Sequence, residues 1–298
     1  MPSMPCPTPP LILFVTHHKC GTWWATQAFD AVRLECHVPF RAITSDSALR
    51  ATGLCNDSVQ GAGMSRPNRG RPGRQIVHVN SASEIKLHVP PACLASLKLA
   101  TSRVVHMIRS PFRMVASFFL FHLSGQECHY ADMLELCARM RKDWRVARLR
   151  APAPDRLQAL LPSLQASASF ALSHPLPAMA AMHRALNSLP HAYTVRLEDL
   201  ARDYDRTTGD LLSFLGFEPG GAQHKTLLRN LRAHDTGRWA KHTLQLSAHV
   251  NPGRGISMSA EQVEEALTTQ IDGRTTAALA DMSHALGYLN ADTRPDTR

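Results

Sequence analysis

The sequence predicts an α/β fold: a single domain with a central parallel sheet flanked by helices, and a P-loop-like anion-binding loop after the first strand. Three observations carry this expectation. Short β-rich runs alternate with stretches of helical periodicity, the first run passes through a Lys-Gly-Thr turn straight into a helix, and no linker or internal repeat divides the 298 residues. A chain of this length buries a core without covalent staples. With 44% hydrophobic and 19% charged residues it is neither disordered nor fibrous.

The elements follow in order. Residues 1–10 read as a short tail, 11–288 as the domain and 289–298 as a polar C-terminal tail. Leu11–Val15 is the first strand, and Trp24, Ala28, Ala31 and Val32 then recur with helical spacing. Residues 56–74, rich in Gly, Arg, Ser and Asn, form an inserted loop carrying Arg66, Arg69, Arg71 and Arg74. That cluster reads either as a solvated loop or as a partner for an anion. Further strands are expected at Gln75–Val79, Glu84–His88, Arg103–Ile108 and Tyr193–Leu197. Ser110 and Pro111 supply a cap and a first-turn proline. Phe112, Val115, Ala116, Phe119, Leu120 and Leu123 then form the apolar stripe of a helix. Residues 124–190 read as helices with Pro-rich breaks. After the Tyr193 strand, one helix buries Leu200, Tyr204, Leu211, Leu212 and Leu215 and stops at Gly216.

Charge and cysteine usage narrow the setting. Residues 1–113 hold 13 Lys/Arg against 5 Asp/Glu, and the rest of the chain 20 against 19, so the positive field sits in the N-terminal third. Seven cysteines, an odd number without a CxxC, read as reduced thiols. No stretch approaches the roughly 18 apolar residues of a membrane span, and the N-terminus lacks the pattern of a secretory signal. The expected address is therefore cytoplasmic.

The first strand runs into Thr16-His17-His18-Lys19-Cys20-Gly21-Thr22-Trp23-Trp24. Such a turn offers backbone N–H groups and the positive end of a helix dipole to an anion, with Lys19 adding a charge and Thr22 a hydroxyl. By itself the segment also reads as an ordinary strand-to-helix turn with a solvated lysine. It lacks the GxxxxGK[ST] spacing of a nucleotide triphosphatase, and no Walker B carboxylate is evident. His17, His18 and Cys20 do not make a metal site on spacing, because neighbouring strand residues point to opposite faces and no second ligand pair follows.

Two further segments accompany this loop: Ile85-Lys86-Leu87-His88-Val89-Pro90, and Val104 to Phe119, which contains Arg109-Ser110-Pro111 and Ser117. With Phe14 to Trp24, and with Val195-Arg196-Leu197-Glu198-Asp199-Leu200 followed by Phe214-Leu215-Gly216-Phe217, they resemble the sulfotransferase family, cytosolic type, over residues 11 to about 217. Members of that family move a sulfuryl group from 3'-phosphoadenosine 5'-phosphosulfate (PAPS) to an acceptor. The resemblance implies that Lys19, Cys20, Gly21 and Thr22 form the phosphosulfate loop, with Cys20 where the family usually has Ser. Trp23 stands where many members have a second Thr, and Trp24 matches the tryptophan that stacks on adenine. It implies that Arg109 and Ser117 hold the 3'-phosphate, that Lys86 approaches the sulfonate, and that His88 is the base. Lys19 and Lys86 would meet developing charge without any metal. Arg254-Gly255 is the nearest match to the family's lid contact, although the residues around it depart from the pattern, and Leu197 stands where many members have an adenine-facing Tyr.

The implied reaction is transfer to a hydroxyl or amine of a small-molecule acceptor, with adenosine 3',5'-bisphosphate as the product nucleotide. Two alternatives belong to other classes. A P-loop kinase or nucleotide triphosphatase would show magnesium-dependent ATP hydrolysis. A basic nucleic-acid-binding module would use Arg139, Arg141, Lys142, Arg145 and Arg148, whose spacing around Trp144 and Leu149 a solvated amphipathic face explains more simply, so no nucleic-acid partner is expected. The acceptor pocket is expected from residues 36–75, 120–150 and 224–256, and oligomeric state is not legible in the sequence.

Overall fold

A computed structural model describes residues 11–43, 75–80, 102–125, 128, 133–152, 155–236, 256 and 258–288. Among these, five strands form one wholly parallel sheet: β1 (Leu11–Thr16), β2 (Phe40–Ile43), β3 (Gln75–Asn80), β4 (Ser102–Ile108) and β5 (Ala192–Arg196), in the order β2-β3-β1-β4-β5. Their registers pair Phe14 with both His78 and Val105. The chain steps outward to β2, returns to β3 beside β1, and crosses β1 to reach β4. The order therefore reverses about β1, and open parallel sheets bind ligands at the carboxyl ends of strands beside such a reversal.

The sheet is apolar on both faces, as all-parallel sheets are. Ile12 and Phe14 point to one side, into a core shared with Trp24, Ala28, Phe29 and Val32 of α1 (Thr22–Cys36). Leu13 and Val15 point to the other, where they meet Val77, Val79, Val104, Met182 and Leu186. This period of two sends alternate β1 side chains into two separate cores. Phe14 and Phe29 anchor the first, with ring centroids 4.0 Å apart.

Among the described residues, five further helices precede β5: α2 (Pro111–Leu123), α3 (Leu134–Arg150), α4 (Arg156–Ala159), α5 (Leu161–Ser173) and α6 (Pro175–Leu186). After β5 come α7 (Leu197–Arg202), α8 (Tyr204–Phe214), α9 (Ala222–Leu231), α10 (Ala260–Thr269) and α11 (Gly273–Ala285). The chain divides into two compact units, Met1–Ile108 with Ala181–Arg238 and Arg109–Ala180 with Trp239–Arg298. In the second, α2 packs against α3, α5, α10 and α11. Eleven of its thirteen residues are buried, which is the pattern of a helix surrounded by others.

Several expectations are corrected. β2 was not anticipated, because Phe40-Arg41-Ala42-Ile43 is too short and too mixed to signal a strand without its partner β3. The single helix expected after β5 is two. Asp203 interrupts it with φ −146° and ψ 77°, and its carboxylate accepts the Arg206 N–H at 3.2 Å, capping α8. Ser110 precedes Pro111 as expected but makes no side-chain cap bond. The reading of reduced thiols fails for Cys128 and Cys137, which form a disulfide with Cα atoms 5.7 Å apart, and Cys36 is disulfide-bonded as well. An odd count and a missing CxxC say nothing about a pair that a turn between two helices brings together. Among the described residues Cys20 is the cysteine that stands outside a disulfide, and it is buried. The expected strand Glu84–His88 and the loop 56–74 lie outside the described residues.

Candidate anion site

β1 ends at Thr16 and α1 begins at Thr22, so five residues make the turn. The Cys20 N–H donates to the His17 carbonyl at 2.9 Å, and the Ala25 N–H reaches back to Gly21 at 3.0 Å. Two residues adopt left-handed backbone, Lys19 at φ 63° and Gly21 at φ 82°. For Lys19 this conformation is costly, and such strain is found where surrounding structure over-determines a functional turn. Gly21 is required for space as well. A Cβ there would lie 2.6 Å from Met107 Cε and 3.1 Å from Leu197 Cδ1. The sequence thus folds into a tight turn that admits no side chain at Gly21, which sits against Met107 of β4 and Leu197 at the start of α7.

The start of α1 has no side-chain cap and no acidic residue in its first turn. Helices normally blunt this end with Ser, Asp or Glu; here the positive end of the dipole is left to the loop and to whatever binds it. Lys19, Gly21, Thr22 and Trp23 are partly exposed, whereas Cys20 and Trp24 are buried. Trp24 joins the α1 core, its indole N–H donating to the Tyr204 hydroxyl at 2.8 Å. Trp23 lies edge-on to His234, with centroids 5.6 Å apart.

Two polar clusters lie beneath this turn, one on each face of the sheet. On the α1 face the Thr22 hydroxyl is 3.1 Å from Thr16 Oγ1, which is 3.0 Å from His78 Nε2. Burial pulls the His78 pKa down to about 4. On the other face His17 Nε2 and His106 Nε2 are 2.8 Å apart, so one donates and the other accepts. His106 is held well below the usual histidine range, first by burial and then by His17 and His183.

In the second unit, Arg109, Arg113 and Ser117 recur at four-residue steps from the residue after β4 into α2. Arg113 and Ser117 are the two residues of α2 that are not buried, and Arg109 is also partly exposed. Four-residue steps place them on one stripe of an otherwise buried helix. The stripe offers two guanidiniums and a hydroxyl, a donor set suited to a phosphate dianion. Arg113 was missed by sequence reasoning, although its spacing from Arg109 and Ser117 is legible. Its Nε is 3.6 Å from Glu264 Oε2 of α10, a carboxylate that is itself buried.

The basic run of α3 lies on an exposed face. Arg141, Arg145 and Arg148 with Trp144 line a cavity of about 280 Å³ beside Ser124 and Gly125, and the guanidiniums of Arg148 and Arg156 each sit 6.0 Å from the Trp144 ring centroid. Lys86, His88, Arg254 and Gly255 lie outside the described residues. Among the described residues no group of His, Cys, Asp or Glu is arranged to hold a metal ion, and no helix is long and apolar enough to cross a membrane.

Comparison with known proteins places these features in a family. The model of the sulfotransferase domain matches residues 9–236. No curated protein matches the sequence. Among solved structures, the chain is similar to the crystal structure of mouse sulfotransferase SULT7A1 complexed with PAP, at 10% identity and a TM-score of 0.48, over 95% of this chain and 86% of that one. With the family model spanning most of the chain, from the strand before the anion loop to the end of α9, the protein belongs to the sulfotransferase family.

Proposed function

We propose that the chain transfers a sulfuryl group from PAPS to a hydroxyl or amine of a small-molecule acceptor. The observation that carries this reading is the turn after β1. Its left-handed Lys19 and Gly21, the filled space around Gly21, and an α1 start without cap or acidic residue together suit an anionic group. The Arg109, Arg113 and Ser117 stripe supports a second phosphate, as the donor's 3' end requires.

In this proposal the acceptor oxygen or nitrogen attacks sulfur in line as the bond from sulfur to the phosphate oxygen breaks. The acceptor proton passes to His88, and the nucleotide departs as adenosine 3',5'-bisphosphate. Lys19 meets the charge growing on the leaving oxygen, and Lys86 the charge on the sulfonate oxygens; the gain comes from donors already aimed at the transition state. Trp24 serves the adenine side, with Arg254 and Gly255 over the 3'-phosphate. These roles rest on the family resemblance. No metal is needed where lysines and backbone amides carry the charge. The cytoplasmic address belongs to the same proposal, and the Cys128–Cys137 disulfide weighs against it, since such bonds persist chiefly in oxidising compartments. A count of free thiols on protein taken directly from cells decides that point.

The test of the donor is ligand choice. Adenosine 3',5'-bisphosphate is expected to raise the melting temperature far more than AMP or ATP, because the stripe on α2 has no phosphate to meet in those nucleotides. Equal shifts would overturn the proposed donor. Turnover in His88→Ala is expected to fall by about 10² to 10⁴ with bisphosphate binding intact.

A further inference from the structure

Two arginines of α3 are held in place by partners that carry no negative charge, and a third stands between them. Arg141, Arg145 and Arg148 recur at i, i+4 and i+7, so they share one exposed face of the helix. Arg141 Nη2 donates to the Gly125 carbonyl at 3.1 Å. Gly125 adopts left-handed backbone at φ 86°, and a Cβ there would lie 3.1 Å from that same nitrogen, so the guanidinium packs against the bare glycine. The Arg148 guanidinium sits 6.0 Å from the Trp144 ring centroid, with Arg156 at the same distance. A carbonyl and an indole orient a guanidinium without neutralising it.

Like charges four residues apart on a helix repel, and no ion pair among the described residues engages any of these three. Asp143, the acid between them in sequence, is taken by Arg139 at 3.9 Å and by the Ser163 hydroxyl at 2.6 Å. A face that only sheds charge into water needs no such anchors. The three arginines instead wall the cavity of about 280 Å³, where Leu123 and Ile256 add apolar surface. That size and lining suit one ring bearing an acid group. Ser124, also at the cavity, follows Ser117 by seven residues, two turns or about 10 Å along the same side of α2. The cavity and the phosphate stripe thus belong to one compact unit, and the cavity's lining comes from the segments 120–150 and 224–256 expected of an acceptor pocket.

We propose that this cavity receives the acid group of the acceptor, so that the substrate is a ring-bearing carboxylate and not a neutral alcohol. The inference rests on the reading of the chain as a transferase from PAPS and names the acceptor class for it. A guanidinium meets a carboxylate through two parallel hydrogen bonds, and Arg145, between the two anchored arginines, is the one with its fork uncommitted. Arg141 and Arg148 are oriented before the ligand arrives, so little of their freedom is lost on binding. A neutral analogue of the same shape leaves all three cations unanswered, which is the basis of discrimination.

The experiment titrates the intact protein, without nucleotide, with two acids and their own amides: 4-hydroxybenzoate against 4-hydroxybenzamide, and glucuronate against glucuronamide. At least one acid is expected to bind about tenfold more tightly than its amide, the scale of one charge-assisted hydrogen bond, and which of the two does so tells an aromatic from a sugar acceptor. Arg145→Gln, at an exposed position, is expected to abolish that preference. Equal binding of acid and amide in both pairs overturns the proposal, as does a preference that survives in Arg145→Gln. With PAPS added, the preferred acid is expected to take up sulfate at a lower KM than its amide. An acid that binds but stays unsulfated while the amide is sulfated overturns the assignment to the acceptor. Transfer to neither compound, with the acid still bound in preference, overturns the PAPS reading instead, and the two failures are told apart because the binding step needs no donor.

Discussion

The Trp24 indole N–H donates to the Tyr204 hydroxyl at 2.8 Å, and Tyr204 in turn donates to the Leu231 carbonyl at 2.6 Å. One phenol therefore ties α1, α8 and the end of α9 together through a single oxygen. Burial pushes its pKa up to about 12, so it keeps its proton throughout the working range. Tyr204→Phe leaves a buried indole N–H and a buried carbonyl without this partner. A loss of about 1–3 kcal/mol is expected in urea unfolding. An unchanged midpoint would show that water replaces the hydroxyl at no cost.

Acid should unfold the protein through its buried histidines. His78 titrates near 4 when folded and near 6.5 when unfolded, and His106 is displaced in the same direction. Below about pH 6.5 the unfolded chain takes up protons that the folded one refuses, so stability is full above that pH and falls as pH drops towards 4. For His78 alone the loss amounts to about 3 kcal/mol. Urea midpoints measured from pH 7.5 to 4.5 should decline steadily. A flat profile across that window would mean that these rings are charged inside the fold.

The Cys128–Cys137 disulfide should contribute to the stability of the unit that holds α3. Cys128 and Cys137 are nine residues apart, and closing such a loop stabilises by about 2–3 kcal/mol in the chain-entropy description. The Cys128→Ala/Cys137→Ala double variant is expected to unfold at correspondingly lower urea and to lose any dependence on reductant that this bond confers. Equal stability of variant and parent would remove the bond from the list of what holds α3 in place.

The amount legible in the sequence differs between strands, helices and site. β1 was visible as an unbroken apolar run, and β3, β4 and β5 as short runs rich in Val, Ile, Tyr and Thr. β2 was not, since its residues are buried only at Ile43 and partly at Phe40. The break at Asp203 was hidden because Leu200 and Tyr204 keep helical spacing across it. Lys19, Gly21 and Thr22 were legible from their place between strand and helix. The reason for glycine was not, because Met107 and Leu197 are distant in sequence and meet Gly21 only once β4 lies beside β1 and β5 beside β4. Arg113 escaped for a different reason: the resemblance singled out its neighbours on the stripe, and attention to spacing alone would have included it.

The pair Arg113 and Glu264 gives a test independent of the proposed chemistry. Arg113→Ala takes a cationic partner from a carboxylate that is 5% exposed, which is expected to cost on the order of 1–3 kcal/mol, whereas Arg113→Ala combined with Glu264→Gln should recover part of that loss. Additive losses in the double variant would show that the two side chains do not depend on each other.

Lys19 and Arg109 should fail differently if the proposed reaction holds. Asn tolerates left-handed backbone, so Lys19→Asn removes the charge while sparing the turn at φ 63°, and its chief expected effect is a fall in kcat. Arg109→Ala should chiefly raise the donor's KM, because its contact is made before and during reaction alike. Lys19→Arg keeps a charge but spreads it over a plane, and poor recovery of kcat is expected. Full activity in Lys19→Arg would make this residue a binding group and nothing more.

The composition of α2 sets how far this protein can be altered. Eleven of its thirteen side chains fill the interior, and the remaining two, Arg113 and Ser117, share the stripe with Arg109. No position on the helix is idle. If the proposed donor binds along this stripe, a saturation library across the helix would divide into substitutions that abolish expression and substitutions that spare expression while changing ligand affinity, with almost nothing neutral between them. An engineer seeking a new donor preference should therefore leave the helix backbone and its apolar residues alone and work with three side chains only.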